Sequence, residues 1–195
     1  MLALENLSNS LDTIIQQTQL NFPLLWRIVA LPWLVLFINT LLHGLLFRLG
    51  IIPRRLIGIP GIFCAPLIHA NFSHLFFNTI PLVVLSDFML IQGWDYFLYA
   101  SFFITVVSGF LIWCFAKQGI HIGASGLITG YWGLLVIDIY QQGSLTAIIL
   151  GALSLYYFAG IFLGIFPQRK GISWEGHLFG LLAGIGFSYL YRVSL

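Results

Sequence analysis

One serine stands among glycines in His121-Ile122-Gly123-Ala124-Ser125-Gly126-Leu127-Ile128-Thr129-Gly130. A serine hydroxyl attacks a carbonyl only when a base takes its proton and donors stabilise the oxyanion that forms. Flanking glycines let backbone and substrate come close to such a hydroxyl. Glycine-flanked serines are also ordinary packing residues of apolar helices, so this stretch alone leaves both readings open. Candidate bases are the histidines: His69, His74, His121, His177 and the more isolated His43. His74 and Asn78, spaced i, i+4, share a helical face and both can donate hydrogen bonds, as an oxyanion hole requires. The same pair could simply pack against the chain before it. His121 would share the face of Ser125 only in an unbroken helix. Gly119 and Gly123 instead place the helix start near Ala124 or Ser125, which leaves His121 in a loop.

The elements that must bring these residues together follow from composition. Of the 195 residues 59% are hydrophobic and 7% charged, and the mean hydropathy is +0.98. A soluble chain of this size needs a charged shell that these residues cannot build, so the class is an all-α, polytopic membrane protein. No basic run exists to bind nucleic acid. Cys64 and Cys114 form no metal or disulfide motif. Residues 1–23 are polar and amphipathic and read as a short interfacial helix ahead of a membrane domain at 24–195, with no removable signal peptide. Apolar runs at 28–47, 75–91, 96–115, 124–140, 145–166 and 176–191 predict six spans; the second, fourth and sixth are shorter than the roughly 20 residues that a bilayer usually asks for. The connection 48–72 holds Pro53, Pro60 and Pro66 but is apolar, which suits irregular backbone embedded in protein or lining a wet cavity.

Alternation of the spans puts the starts of the second, fourth and sixth on one side. His69, His74 and Asn78, then Ser125, then Glu175 and His177 can therefore meet in one cavity, and polar groups at membrane depth mark function. Gly176, Gly180 and Gly184 on the sixth span face Gly126, Gly130 and Gly133 on the fourth as rows of small residues, which let two helices touch closely. Such a contact would carry His177 to Ser125, with no carboxylate required.

These residues resemble the rhomboid family of intramembrane serine proteases. His69-Ala70-Asn71-Phe72-Ser73-His74-Leu75-Phe76-Phe77-Asn78 is similar to the family's H-x4-H-x3-N. Gly123-Ala124-Ser125-Gly126 is similar to its G-x-S-G, and His177, Gly180 and Gly184 to its H-x2-G-x3-G. The resemblance implies a six-helix bundle in which Ser125 is the nucleophile and His177 the general base. It implies an oxyanion hole of the Ser125 N–H, His74 and Asn78, with His69 anchoring the first long loop and Gly123, Gly126 and Gly180 in support. It implies transmembrane protein substrates in a lipid bilayer, no metal or cofactor, and a site open to the extracytoplasmic side, in the cell membrane. Two motif positions differ. The Trp-Arg pair of many members is absent, and Thr129 stands where many carry a tyrosine that packs on the catalytic histidine, so Trp174 or Tyr131 becomes the candidate to orient His177. With the cytoplasmic N-terminus the resemblance implies, Arg27 and Arg192 lie inside and six basic residues outside, opposite to the positive-inside rule.

Two other function classes compete. One is a non-catalytic rhomboid-like protein that binds membrane clients; the other is a haem or metal membrane protein using His69, His74, His121 and His177, few of which have a carboxylate nearby to orient them.

Overall fold

In lipid no water bonds to backbone N–H and C=O groups, and a chain this apolar satisfies them inside helices. The computed structural model describes residues 2–167 and 173–193. Among these lie α1 (Leu2–Leu41), α2 (Gly61–Cys64), α3 (Phe72–Ile91), α4 (Trp94–Phe115), α5 (Ser125–Gln141), α6 (Leu145–Phe158), α7 (Gly160–Leu163) and α8 (Trp174–Val193). The described residues form no strand, so the all-α expectation holds, and α1, α3 and α4 are long and apolar enough to cross a membrane.

Two elements differ from expectation. The separate interfacial helix and first span are one helix of 40 residues that runs through Pro23 and Pro32 and ends at Leu41, not near residue 47. At ~1.5 Å per residue α1 is about 60 Å long, roughly twice the hydrocarbon thickness of a bilayer. Thr18 and Asn21 donate to the buried carboxylate of Asp87 on α3 (2.6 and 2.9 Å), which holds the early part of α1 on the bundle. The run expected at 145–166 is interrupted instead. Past Phe158 the bonds become i to i−3, from Phe162 to Ala159, Gly164 to Ile161 and Ile165 to Phe162, so the chain tightens into the separate turn of α7. Within the connection between the fifth and sixth predicted spans, residues 168–172, Arg169 and Lys170 among them, lie outside the described residues.

The centre of the bundle is α5, which packs on α3, α4, α6 and α8. Its residues Ile128–Leu135 are all buried, whereas Phe77, Phe102, Phe110 and Leu190 point outward, as lipid-facing side chains do. At the far end of α5 the buried Asp138 accepts from Tyr96 of α4 (2.5 Å), Ser188 of α8 (2.7 Å) and Gln142 (2.8 Å). The connection between α1 and α3 is compact. A methyl built on Gly58 would lie 2.4 Å from the Ile52 nitrogen, and one on Gly61 2.4 Å from the Gly50 carbonyl. Arg54, at φ +57°, donates its guanidinium to the Cys114 and Ala116 carbonyls (3.0 and 2.9 Å). These carbonyls end α4 and have no partner within the helix, so a cation there is favourable.

Candidate active site

Ser125 is the first residue of α5, at the end where backbone N–H groups have no helical partner and the helix dipole favours negative charge. Two pairs of hydrogen bonds fix the loop leading to it. Ile51 and His121 exchange backbone bonds (3.0 and 2.9 Å), and the Gly123 N–H donates to the Ala65 carbonyl (2.9 Å) while the Ala124 N–H donates to His69 Nε2 (3.3 Å). The anchor at His69 thus grips the backbone one residue before the serine, a long-range contact that no local pattern announces. His69 is fully buried. Since Nε2 accepts, the proton of the neutral ring sits on Nδ1. Burial and the adjacent His74, whose ring centroid is 5.0 Å away, push the His69 pKa down to about 4.

His74 and Asn78 occupy the first two turns of α3, whose start is capped by the Asn71 side chain accepting from the His74 N–H (2.8 Å). They converge on Gly123. That residue has φ +114°, which favours glycine, and a methyl on it would lie 2.7 Å from His74 Cε1 and 3.8 Å from Asn78 Nδ2. The Asn78 amide nitrogen is buried without a hydrogen-bond partner among the described residues.

His177 arrives on the first turn of α8, and the expected glycine contact is what brings it. A methyl on Gly180 would lie 2.0 Å from the Gly126 carbonyl oxygen, one on Gly184 2.0 Å from that of Gly130, and one on Gly126 3.1 Å from that of Gly176. Ser125, His177, Asn78 and Thr129 line one open cavity of ≈ 280 Å³ between α3, α5, α7 and α8. No hydrogen bond joins Ser125 to His177 among the described residues, and His177 Nδ1 is buried without a partner. Bonds between catalytic groups often tighten only with substrate bound. Ser125 also borders a smaller cavity of ≈ 40 Å³ with Thr105, Ser108, His121 and Ser173.

His121 is in the loop, as expected. Its ring bonds to Ser173 Oγ (2.8 Å) and the Lys117 carbonyl (2.9 Å), and Ser173 in turn caps α8 by accepting from the Gly176 N–H (3.2 Å). Of the two residues expected to orient His177, Tyr131 is committed elsewhere: it is fully buried with its hydroxyl on Ser101 (2.6 Å). The Trp174 indole nitrogen is buried without a partner among the described residues. Thr129 donates back to the Ser125 carbonyl (2.7 Å). Among the described residues no group of three or more His, Cys, Asp or Glu side chains is arranged to hold a metal ion.

Comparison with known proteins gives this geometry its context. The chain is 40% identical over 172 residues to an uncharacterized protein of Mycobacterium tuberculosis, Rv1337, covering 83% of this chain and 71% of that one. It is 32% identical over 192 residues to an uncharacterized protein of Mycobacterium leprae, ML1171, covering 89% and 76%. A mimivirus protein named as a putative rhomboid protein is 30% identical over 130 residues, covering 63% of this chain and 70% of its own length. The Rhomboid domain matches residues 58–194, from the loop that holds His69 to the end of the helix that carries His177, and the chain belongs to the rhomboid family.

Proposed function

We propose that this chain is an intramembrane serine protease that cuts peptide bonds in or near transmembrane segments of other membrane proteins. In this reading α1, α3, α4, α5, α6 with α7, and α8 make six spans. The site opens to the extracytoplasmic side of the cell membrane. Ser125 Oγ attacks the scissile carbonyl carbon while His177 Nε2 takes its proton. The Ser125 N–H, the Asn78 amide and His74 donate to the oxyanion. The amine then leaves with the proton from His177, and a water repeats the sequence on the acyl-enzyme ester. The ≈ 40 Å³ cavity beside Ser125 has room and polar partners for a water. A substrate helix must unwind first, because its hydrogen bonds hold its carbonyls, so glycine or proline near the cut favours cleavage.

The observation that carries the reading is the shared cavity: a serine at a helix N-terminus, a histidine from a second helix and a buried, unsatisfied amide donor from a third line one opening. Purified protein in detergent, incubated with a transmembrane substrate and a serine-directed fluorophosphonate, tests it. Cleavage and labelling are expected for the wild type and neither for Ser125→Ala or His177→Ala. The double variant should be no worse than either single one, because the two groups act as a unit. Substantial turnover by Ser125→Ala would end the proposal in favour of another chemistry. A wild type that binds membrane clients without cutting them would favour the non-catalytic role.

A further inference from the structure

A base must be held as firmly as the nucleophile it serves, and the side chains around His177 do not account for how it is held. Its Nδ1 has no hydrogen-bond partner among the described residues, Tyr131 is bonded to Ser101, and Thr129 is bonded to the Ser125 carbonyl. What lies against the ring is backbone. A methyl built on Gly164 would lie 2.0 Å from His177 Nδ1 and 2.7 Å from Cε1, closer than any real atoms approach. Gly164 has φ −66° and ψ −17°, an ordinary helical conformation that any residue adopts. Glycine is therefore not required there for its backbone freedom; it is required for the space that the imidazole fills. Its own position is set by the turn of α7, through its N–H bond to the Ile161 carbonyl (2.9 Å).

We propose that Gly164 is a positioning residue for His177, its bare backbone closing on the Nδ1 edge of the ring so that Nε2 faces the cavity that Ser125 lines. The assignment rests on the reading of His177 as the base. It gives the break after α6 a purpose. A continuous helix through 145–166 would carry Gly164 along a different path, whereas the tightened turn lays its backbone against the imidazole. The break thus takes the place of the aromatic side chain that Thr129 does not supply.

The test compares Gly164→Ala with Gly186→Ala. Gly186 is on the same helix as His177, and a methyl there meets nothing within 4 Å. Gly186→Ala is expected to label and cleave as the wild type does. Gly164→Ala is expected to lose about 10²-fold in kcat, the scale of a misplacement of about 1 Å, with KM unchanged. Fluorophosphonate labelling of Ser125 should slow in parallel. The melting temperature of Gly164→Ala should fall, and most of the fall should disappear when His177→Ala removes the ring that the methyl strikes, leaving only the cost of its 3.0 Å approach to the Ile161 carbonyl. That cycle decides the matter even where Gly164→Ala alone folds too poorly to assay. An equal thermal cost of Gly164→Ala with and without the His177→Ala substitution, or wild-type labelling and kcat in Gly164→Ala, overturns the positioning role. A wild type that neither labels nor cleaves fails the protease reading itself. Label on the wild type and equally on Gly164→Ala fails only the role of Gly164.

Discussion

His121 and His177 are two imidazoles near one serine, and their partners separate them. The Lys117 carbonyl can only accept, so His121 Nε2 carries its proton and Nδ1 receives the Ser173 hydroxyl. Both nitrogens are engaged, and the one ring lone pair, on Nδ1, is not free for Ser125. His121→Ala is expected to keep most of its activity while losing some thermal stability through the α8 cap, whereas His177→Ala loses activity altogether; the reverse ranking in kcat would reassign the base. In the proposed mechanism Asn78 is an oxyanion donor, and its amide nitrogen is buried without an acceptor among the described residues. Asn78→Ala should lower kcat by about 10²–10³, the usual effect of removing one such donor. A lowered melting temperature with unchanged kcat per folded molecule would make the residue structural instead. His69 predicts a pH dependence. The unfolded chain binds a proton on this histidine below about 6.5 and the folded chain only below about 4. Between those values the unfolded state holds more protons, so stability falls as pH drops through the window and levels off beneath it. Thermal melts from pH 8 to 4 should show a shallower acid decline in His69→Gln, which keeps an acceptor for the Ala124 N–H but cannot charge; parallel declines would mean that His69 is not the titrating group.

The contact of α5 with α8 is closest at Gly180 and Gly184, where a methyl would collide with the carbonyl oxygens of Gly126 and Gly130; the expected partner Gly133 instead meets the Leu181 side chain, and a methyl on Gly176 would meet no atom of α5. Gly184 is far enough along α8 from His177 to separate packing from chemistry. Gly184→Ala puts a methyl 2.0 Å from the Gly130 carbonyl, and overpacking of this kind costs roughly 1–3 kcal/mol. A melting temperature lowered by several degrees is expected, and an unchanged one would mean that the helices part without cost. This contact was legible in the sequence because small residues spaced by four say which faces meet, whatever else the helices do. The bounds of α3, α4, α5 and α8 were legible for a similar reason, since apolar runs end at polar turns. Other elements were not. Prolines at 23 and 32 suggest an end to a helix, but α1 is bonded to α3 on both sides of them, by Thr18 and Asn21 to Asp87 before and by the Trp33 indole to the Thr79 hydroxyl (3.1 Å) after. The turn of α7 leaves no mark in hydropathy, because a shift from i−4 to i−3 bonding changes the backbone and not the composition. His69 on Ala124 and Gly164 on His177 join residues far apart in the chain, so only the fold reveals them.

Across the whole molecule, polar groups gather at the two ends of an apolar waist, and the ends do different things. At one end lies the cavity that Ser125, Asn78 and His177 line; at the other the buried carboxylates of Asp87 and Asp138 are satisfied by hydroxyls and amides. Arg54 shows that charge in the first loop is partly structural, since its guanidinium closes the end of α4. It is thus bound into the fold, which bears on how it counts toward topology. Asp138 is the clearest case at the far end. It joins α4, α5 and α8 through Tyr96, Ser188 and Gln142, and it lies roughly 20 Å along α5 from Ser125 at ~1.5 Å per residue. Asp138→Ala would leave buried Tyr96 and Ser188 hydroxyls without their acceptor, at about 1–3 kcal/mol for each unsatisfied group. The expected result is a large loss of melting temperature with fluorophosphonate labelling per folded molecule unchanged. Asp138→Asn, which keeps one carbonyl oxygen as acceptor, should fall between the two. If labelling per folded molecule dropped while the melting temperature held, the far end would be coupled to the chemistry, and the division of labour between the two ends would be wrong.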